Sequence, residues 1–297
     1  MNVAVVAHAG KTLGGGLPEL RRALARRGVD DPLWIEVPKA KKAPEQVRRA
    51  LEAGADLVFS WGGDGMARRC LGELAGTGAR LAILPAGTSN LLARNLGVPL
   101  DLEGAVDAGL NGTCRAIDVG RLNDERFAVM AGVGFDAAMI RDADAHKDRY
   151  GRAAYVWSST RNLGAEPFGA QITVDGVEWF EGPVSCILSA NVGRLFGGME
   201  IFPDAAFDNG SLELGIVTAR STAEWMRTVA RAVGGDPNKS PFVRITRART
   251  VHVELERKVR YELDGGDRRK VRRFDIEVEP GALQVCVPTS AEGRQAA

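Results

Sequence analysis

A doubly wound α/β half followed by an antiparallel β half is the fold class this sequence predicts, and three observations carry it. Over residues 3–119 short β-branched or apolar runs alternate with amphipathic stretches, the pattern of strand, helix and strand around a largely parallel sheet. After Gly120 the texture changes to short alternating segments with closely spaced turns, as an antiparallel sandwich or barrel requires. The length, 297 residues, is long for one domain and enough for two cores.

Composition narrows the function. Basic and acidic residues number 39 and 38, which argues against a dedicated nucleic-acid binder and makes any basic surface local. Cys70, Cys114, Cys186 and Cys286 are far apart, with no pair at metal-ligand spacing, which predicts neither a disulfide framework nor a zinc site. The chain enters strand-like sequence at Val3 without a basic leader, and no stretch of about 20 apolar residues follows. A reduced, cytoplasmic protein that touches membranes peripherally at most is the expectation.

The first strand, residues 3–7, runs into His8-Ala9-Gly10-Lys11-Thr12, and Pro18 opens a helix through Leu20 and Leu24 that Gly28 closes. Gly10-Lys11-Thr12 looks like the end of a P-loop, but Val5 stands where that motif needs glycine. A second strand at 33–37 leads into the basic loop Pro38-Lys39-Ala40-Lys41-Lys42, at the edge of the sheet where α/β folds bind ligands; its lysines read as a solvated loop or as a source of phosphate or lipid-headgroup attraction. A helix at 44–53 ends at Gly54. The third strand, 56–61, delivers Trp61-Gly62-Gly63-Asp64-Gly65-Met66, three glycines around one aspartate at the change from strand to helix. Such a backbone approaches a ligand closely and aims N–H groups at phosphate oxygens. A fourth strand at 81–84 leads to Pro85-Ala86-Gly87-Thr88-Ser89-Asn90. Thr88 or Ser89 is expected to cap a helix at 90–96, on which Asn90 and Arg94 share a face, and Gly97 and Pro99 stop it.

These two turns carry a family resemblance. Gly62-Gly63-Asp64-Gly65 followed by Leu84-Pro85-Ala86-Gly87-Thr88-Ser89-Asn90 and the run to Pro99 resembles the diacylglycerol kinase catalytic-domain family, bacterial lipid kinases related to sphingosine and ceramide kinases. The first motif is shared with NAD kinases and phosphofructokinases; the second is specific. The resemblance continues through residues 117–120, 132–136, 191–193 and 202–205 and ends at Leu263-Asp264-Gly265. It implies an NAD-kinase-like α/β domain over 1–119, joined by a last strand near 283–297, and a β-sandwich lipid-substrate domain over 120–282. It also implies transfer of the γ-phosphoryl group of ATP to the hydroxyl of diacylglycerol or a related lipid. Gly10, Gly62, Gly63, Asp64, Gly65, Met66, Gly87, Thr88 and Asn90 are the implied nucleotide-binding residues, with Asp64 organising Mg²⁺ through water. Positioning and charge neutralisation are most of what phosphoryl transfer needs.

In the second half, Asp175-Gly176 between two alternating runs signals a hairpin. Further strands are predicted at 184–191, 212–217, 251–255, 260–263, 274–278 and 283–287, with helices at 135–144, 153–163 and 222–233. Asp208, Asn209 and Leu212 match a stretch that in relatives holds a structural Mg²⁺ through two consecutive aspartates and a carbonyl. Asn209 replaces the second aspartate and brings no charge, so metal affinity is expected to fall, and a tight turn without metal is the alternative reading. By itself Asp264 reads as a turn residue; the resemblance makes it the general base on the lipid hydroxyl. Arg268, Arg269, Lys270, Arg272 and Arg273 follow it, a density that suits either an anionic membrane surface or a merely solvated face.

Three departures from the family pattern are visible: Met66 for threonine, Ala7-His8-Ala9 for an Asn-Pro loop, and Val37 or Pro38 for a second threonine. Each removes a hydrogen bond worth roughly 0.5 to 1.5 kcal/mol, and His8, Lys11 and the three lysines of the basic loop are placed to compensate with charge. Three readings follow: an ATP-dependent lipid kinase, a nucleotide- or lipid-binding relative with weakened catalysis, and a soluble-substrate kinase of NAD-kinase type. Residues 85–99 favour the first. The sequence leaves the lipid and the oligomeric state, a homodimer among the options, open.

Overall fold

A computed structural model describes residues 1–134, 166–195, 199–234, 239–264 and 266–289. Phe135 and Asp136, the helices expected at 135–144 and 153–163, Gly265 and the last eight residues lie outside the described residues. The chain forms two compact units, one of Met1–Val119 with Gly281–Ala297 and one of Gly120–Pro280.

The elements in order are β1 (Val3–His8), α1 (Gly16–Ala25), β2 (Leu33–Val37), α2 (Ala43–Glu52), β3 (Leu57–Gly62), α3 (Asp64–Leu74), β4 (Arg80–Pro85), α4 (Leu91–Asn95), α5 (Leu102–Asn111) and β5 (Thr113–Leu122). There follow β6 (Glu125–Phe127), β7 (Met130–Val133), β8 (Phe168–Val174), β9 (Val177–Val184), β10 (Cys186–Ala190), β11 (Arg194–Leu195), β12 (Met199–Glu200) and β13 (Leu212–Val217). The last are α6 (Thr222–Val233), β14 (Val243–Ala248), β15 (Thr250–Leu263) and β16 (Gly266–Val287). The fold class read from the sequence, α/β followed by an antiparallel sandwich with few helices, is the one observed.

In the first unit β2, β1, β3 and β4 are parallel neighbours in that order, and the end of β16 joins alongside β4 through Gln284↔Arg80 and Val285↔Leu81. The buried runs of β1, β3 and β4 are apolar except for Ser60 on β3, as expected of strands covered on both faces. Each helix buries one stripe: Leu20, Ala23 and Leu24 on α1, and Ala43, Val47 and Ala50 on α2. Each fully buried Leu or Val contributes about 1.5 to 3 kcal/mol. Because β1 sits between β2 and β3, the chain winds away in opposite directions at that point. The carboxyl ends of β1 and β3 there flank the crevice where such sheets bind ligands. Those ends carry the His8 loop and the glycine-aspartate turn.

The second unit is antiparallel, in the order β14, β13, β10, β7, β15, β16, with β8 and β9 attached through β15. Its core gathers Phe127, Phe168, Ile172, Ile187, Leu214 and Phe274 from alternate strand positions. Asp175 and Gly176 turn the β8–β9 hairpin with φ of 49° and 82°, the mirror-image turn that Asp-Gly favours. α6 begins with a capping box in which Ser221 and Glu224 exchange hydrogen bonds. All four cysteines are free; burial pushes the Cys70 thiol up to about 12 and the Cys286 thiol to about 11, so neither is a thiolate at neutral pH.

One titration is legible on this unit's surface. His252 Nδ1 lies 2.6 Å from Asp275 Oδ1, and that hydrogen bond, opposed in part by burial and aided by the charges of Asp275 and Glu254, raises the imidazole above its usual value. A raised folded value means the pair stabilises the fold fully below the unfolded value of about 6.5 and ceases to do so as pH rises through the folded value. Both side chains are well exposed, which holds the contribution below about 1 kcal/mol. An NMR titration of His252 is expected to show a midpoint above 6.5, and Asp275→Asn to bring it down; equal midpoints in the two proteins would show that the pair does not form.

Candidate functional site

The glycine turn and the loop after β4 are built as one object. β3 ends at Gly62, Gly63 is extended, and α3 starts at Asp64 with no side-chain cap of its own. Ala86 N–H donates to Gly62 O at 2.9 Å, which brings the second loop onto the first. A Cβ on Gly87 would lie 2.4 Å from Gly63 Cα, and one on Gly63 would lie 3.1 Å from Gly87 Cα. Only a backbone without side chains at both positions allows this approach. Asp64 Oδ1, half-buried, accepts from Leu92 N–H at 3.1 Å, so the turn aspartate caps the first turn of α4 from 28 residues away.

The capping prediction needs correction. Neither Thr88 nor Ser89 caps α4. The N-cap is Asn90, in the left-handed conformation at φ 47°, and its side chain makes no capping bond to the helix. Instead Asn90 Nδ2 donates to Pro85 O and Gly87 O, both at 3.0 Å, and its Oδ1 accepts from Gly87 N–H at 3.0 Å. An amide supplies both donors and an acceptor, which a hydroxyl cannot match, and Asn tolerates the left-handed region. Asn90 is therefore a buried post around which the loop is wrapped. It shares no functional face with Arg94, which is exposed and reaches back to Ser89 O at 2.9 Å. Thr88 is exposed at the loop's crest.

Met66 and Gly10 offer less than expected. The Met66 N–H is bonded to Gly63 O at 2.8 Å and its side chain is buried over Gly62. It fills the core under the turn and presents nothing to a nucleotide. Met66→Thr is thus expected to lose about 2 to 3 kcal/mol of stability through lost packing and a buried hydroxyl, with no gain in nucleotide affinity. Urea unfolding and calorimetry check both parts. Gly10 N–H is taken by His8 Nδ1 at 3.1 Å. Its loop is pinned by Trp61, whose Nε1 donates to Lys11 O at 3.1 Å from inside the core. That anchor joins elements 50 residues apart and has no local signature.

In the second unit Asp264 follows β15 in the left-handed conformation, φ 47°, and is buried. Its carboxylate accepts three backbone N–H groups, from Ala128 at 3.2 Å, Val129 at 3.0 Å and Met130 at 2.9 Å, and its own N–H donates to Met130 O at 2.9 Å. Three converging donors complement a carboxylate charge and fix its orientation. Glu262, two residues earlier and paired with Gly132, is also buried; sequence reasoning passed over it because a charged residue in an alternating strand reads as solvent-facing.

The expected metal site does not fit. Asn209 Oδ1 accepts from both Ser211 N–H at 3.0 Å and Ser211 Oγ at 2.8 Å, closing a turn on itself. Both lone pairs are committed, Asp208 is exposed, and Leu212 opens β13 opposite Ala248. No group of three or more His, Cys, Asp or Glu that could hold a metal occurs among the described residues. Asp208, Asn209 and Leu212 are a turn leading into a strand.

Comparison with known proteins gives matches over both units. Residues 3–122 match the family model described as "Diacylglycerol kinase catalytic domain", and residues 129–287 match "YegS C-terminal NAD kinase beta sandwich-like domain". A "Diacylglycerol kinase" of Mycobacterium tuberculosis is 30% identical over 285 residues, covering 93% of this chain and 91% of the relative. A "Probable lipid kinase YegS-like" of Pseudomonas aeruginosa is 33% identical over 250 residues, 82% and 81% of the two chains. Among solved structures, a diacylglycerol kinase from Bacillus anthracis superposes with a TM-score of 0.78 at 24% identity over 96% of each chain. An NAD kinase from Archaeoglobus fulgidus in complex with ATP gives 0.58 at 16% identity, covering 99% of this chain and 96% of that one. The structural matches bear on the fold.

Proposed function

We propose, from the premise that this chain belongs to the diacylglycerol kinase catalytic-domain family, that it transfers the γ-phosphoryl group of ATP to the hydroxyl of diacylglycerol or a related lipid alcohol. The observation that carries the nucleotide half of this reading is the Gly63–Gly87 contact braced by Asp64 on Leu92 N–H. Two backbone turns held against each other at the carboxyl edge of a parallel sheet are suited to polyphosphate. In this reading the first unit is the nucleotide domain, with backbone of Gly63, Gly65 and Thr88 toward the phosphates, and the second unit is the lipid-substrate domain.

The reaction forms one P–O bond from the lipid hydroxyl to the γ-phosphorus and breaks the bond to the β-phosphate oxygen, releasing ADP. The hydroxyl proton passes to Asp264, whose fixed carboxylate also orients the nucleophile. Asp64 fits a role toward Mg²⁺ carried by the nucleotide, because it is a partly accessible carboxylate at the turn itself. Mg²⁺, when bound, would neutralise charge that builds on the phosphate oxygens. A lipid acceptor places the working enzyme at a bilayer surface; no described helix is long and apolar enough to cross one.

The test is radiolabel transfer from ATP to diacylglycerol in mixed micelles, with NAD as a competing acceptor for the soluble-substrate alternative. Asp64→Asn keeps an oxygen for Leu92 N–H and loses the charge. It is expected to unfold like the parent while activity falls about 100-fold or more. Asp64→Ala should in addition lose about 1 kcal/mol from the missing cap. Parental activity in Asp64→Asn would remove the Mg²⁺ role.

A further inference from the structure

The hairpin of β15 and β16 is lopsided in charge. Over residues 254–273 its described side chains expose seven cations against two acids, Glu254 and Glu256. Both acids are engaged: Glu256 accepts from Gly169 N–H at 3.0 Å, and Glu254 stands opposite Arg273 in the register. The register also explains the crowding. Between the pairs Glu254↔Arg273 and Val259↔Val271, the four β15 residues 255–258 face Arg272 alone, and Arg272 Nε stitches the bulge by donating to Leu255 O at 3.2 Å. A bulge bends its strand and pushes the surplus residues out of the ladder. Lys258 is carried outward in this way.

Past the bulge, Arg260 and Lys270 are directly opposed. Like charges in that position destabilise a sheet. No acidic partner relieves them, or Lys258 and Arg269, among the described residues. Beneath them Val259 and Val271 pack on the unit's core, so the ribbon is held in place and its cations are presented outward. Arg260 lies on β15 four residues before Asp264, which follows the end of that strand.

We infer that the exposed cations of the β15–β16 hairpin form a docking surface for an anionic bilayer. A crowded, unneutralised cationic ribbon is stabilised by a polyanionic partner, and phospholipid headgroups present such charge over an area matching the ribbon. A near-zero net charge and the absence of exposed aromatic side chains between these cations favour a lipid surface over nucleic acid. The choice of a bilayer rests on the lipid-kinase reading; the charge geometry does not.

The test is co-sedimentation of the full chain, without ATP, with phosphatidylcholine vesicles that contain or lack phosphatidylglycerol. Wild type is expected to bind only the anionic vesicles and to be released by salt. Arg260→Ser/Arg269→Ser/Lys270→Ser should weaken binding about a hundredfold, while Arg21→Ser/Arg22→Ser/Arg49→Ser, with the same loss of charge from exposed helix positions of the first unit, should bind as wild type. Equal weakening in both variants, undiminished binding in the first, or equal binding to neutral vesicles overturns the surface. So does duplex DNA that displaces the protein from the vesicles. Vesicle binding without any lipid phosphorylation would retire the kinase reading and leave the surface standing; micellar kinase activity with vesicle binding indifferent to the hairpin substitutions would do the reverse.

Discussion

Gly87→Ala is expected to lower ATP affinity about a hundredfold or more and to reduce stability by about 1 to 3 kcal/mol. The added Cβ would stand 2.4 Å from Gly63 Cα and 2.7 Å from Asn90 Oδ1. The first neighbour is backbone and has no rotamer to escape into, and the second is the oxygen that holds Gly87 N–H. The loop after β4 must therefore lift off the glycine turn, and the donors of both turns lose their common aim. Charged hydrogen bonds are worth about 1.5 to 3 kcal/mol each, so misaligning two accounts for the loss of affinity. Gly72→Ala is the control. It lies inside α3 with open space where its Cβ would go, and should add up to about 1 kcal/mol of stability with ATP binding unchanged. Calorimetric titration of the two variants decides the matter. Wild-type affinity in Gly87→Ala would mean that the two loops bind no phosphate.

The contrast between Gly87 and Asn90 marks how far the sequence could be read. Strand and helix positions in the first half follow from apolar periodicity, and the residues supplying it, such as Leu20 with Leu24 and Val47 with Ala50, are the ones buried. The Asp-Gly hairpin at 175–176 was legible because positive φ at both positions selects those residue types. Site interiors were less so. Helix start rules chose Thr88 or Ser89 because they consider a single helix and its own flank, whereas the acceptor for Leu92 N–H comes from Asp64 on another helix. The same limit applies to Met66. Compared with a family pattern it reads as a missing hydroxyl, yet its side chain closes the core beneath Gly62, a position set by tertiary packing. Asn209 shows a further limit: set beside the family's aspartate it reads only as a lost charge, while its amide oxygen is turned onto Ser211 in its own loop.

Asp264→Asn is expected to lower kcat for lipid phosphorylation by about 100- to 10,000-fold, the range for loss of a general base. Asparagine suits the left-handed backbone here and keeps one oxygen to accept from Val129 and Met130. Its amide nitrogen would then face Ala128 N–H, donor against donor, at a cost of about 1 to 3 kcal/mol. Two effects are thus combined, and they separate experimentally. If Asp264 only holds residues 128–130 in place, the activity lost should match the fraction unfolded and return when the protein is stabilised by cooling or osmolyte. If it takes the hydroxyl proton, the folded variant should bind ATP normally, measured by calorimetry on the same sample, and still fail to turn over. Recovery of turnover on stabilisation would reassign Asp264 to architecture. In that event the proton acceptor must be sought elsewhere, and Glu262, buried two residues earlier near the end of β15, is the next carboxylate to replace.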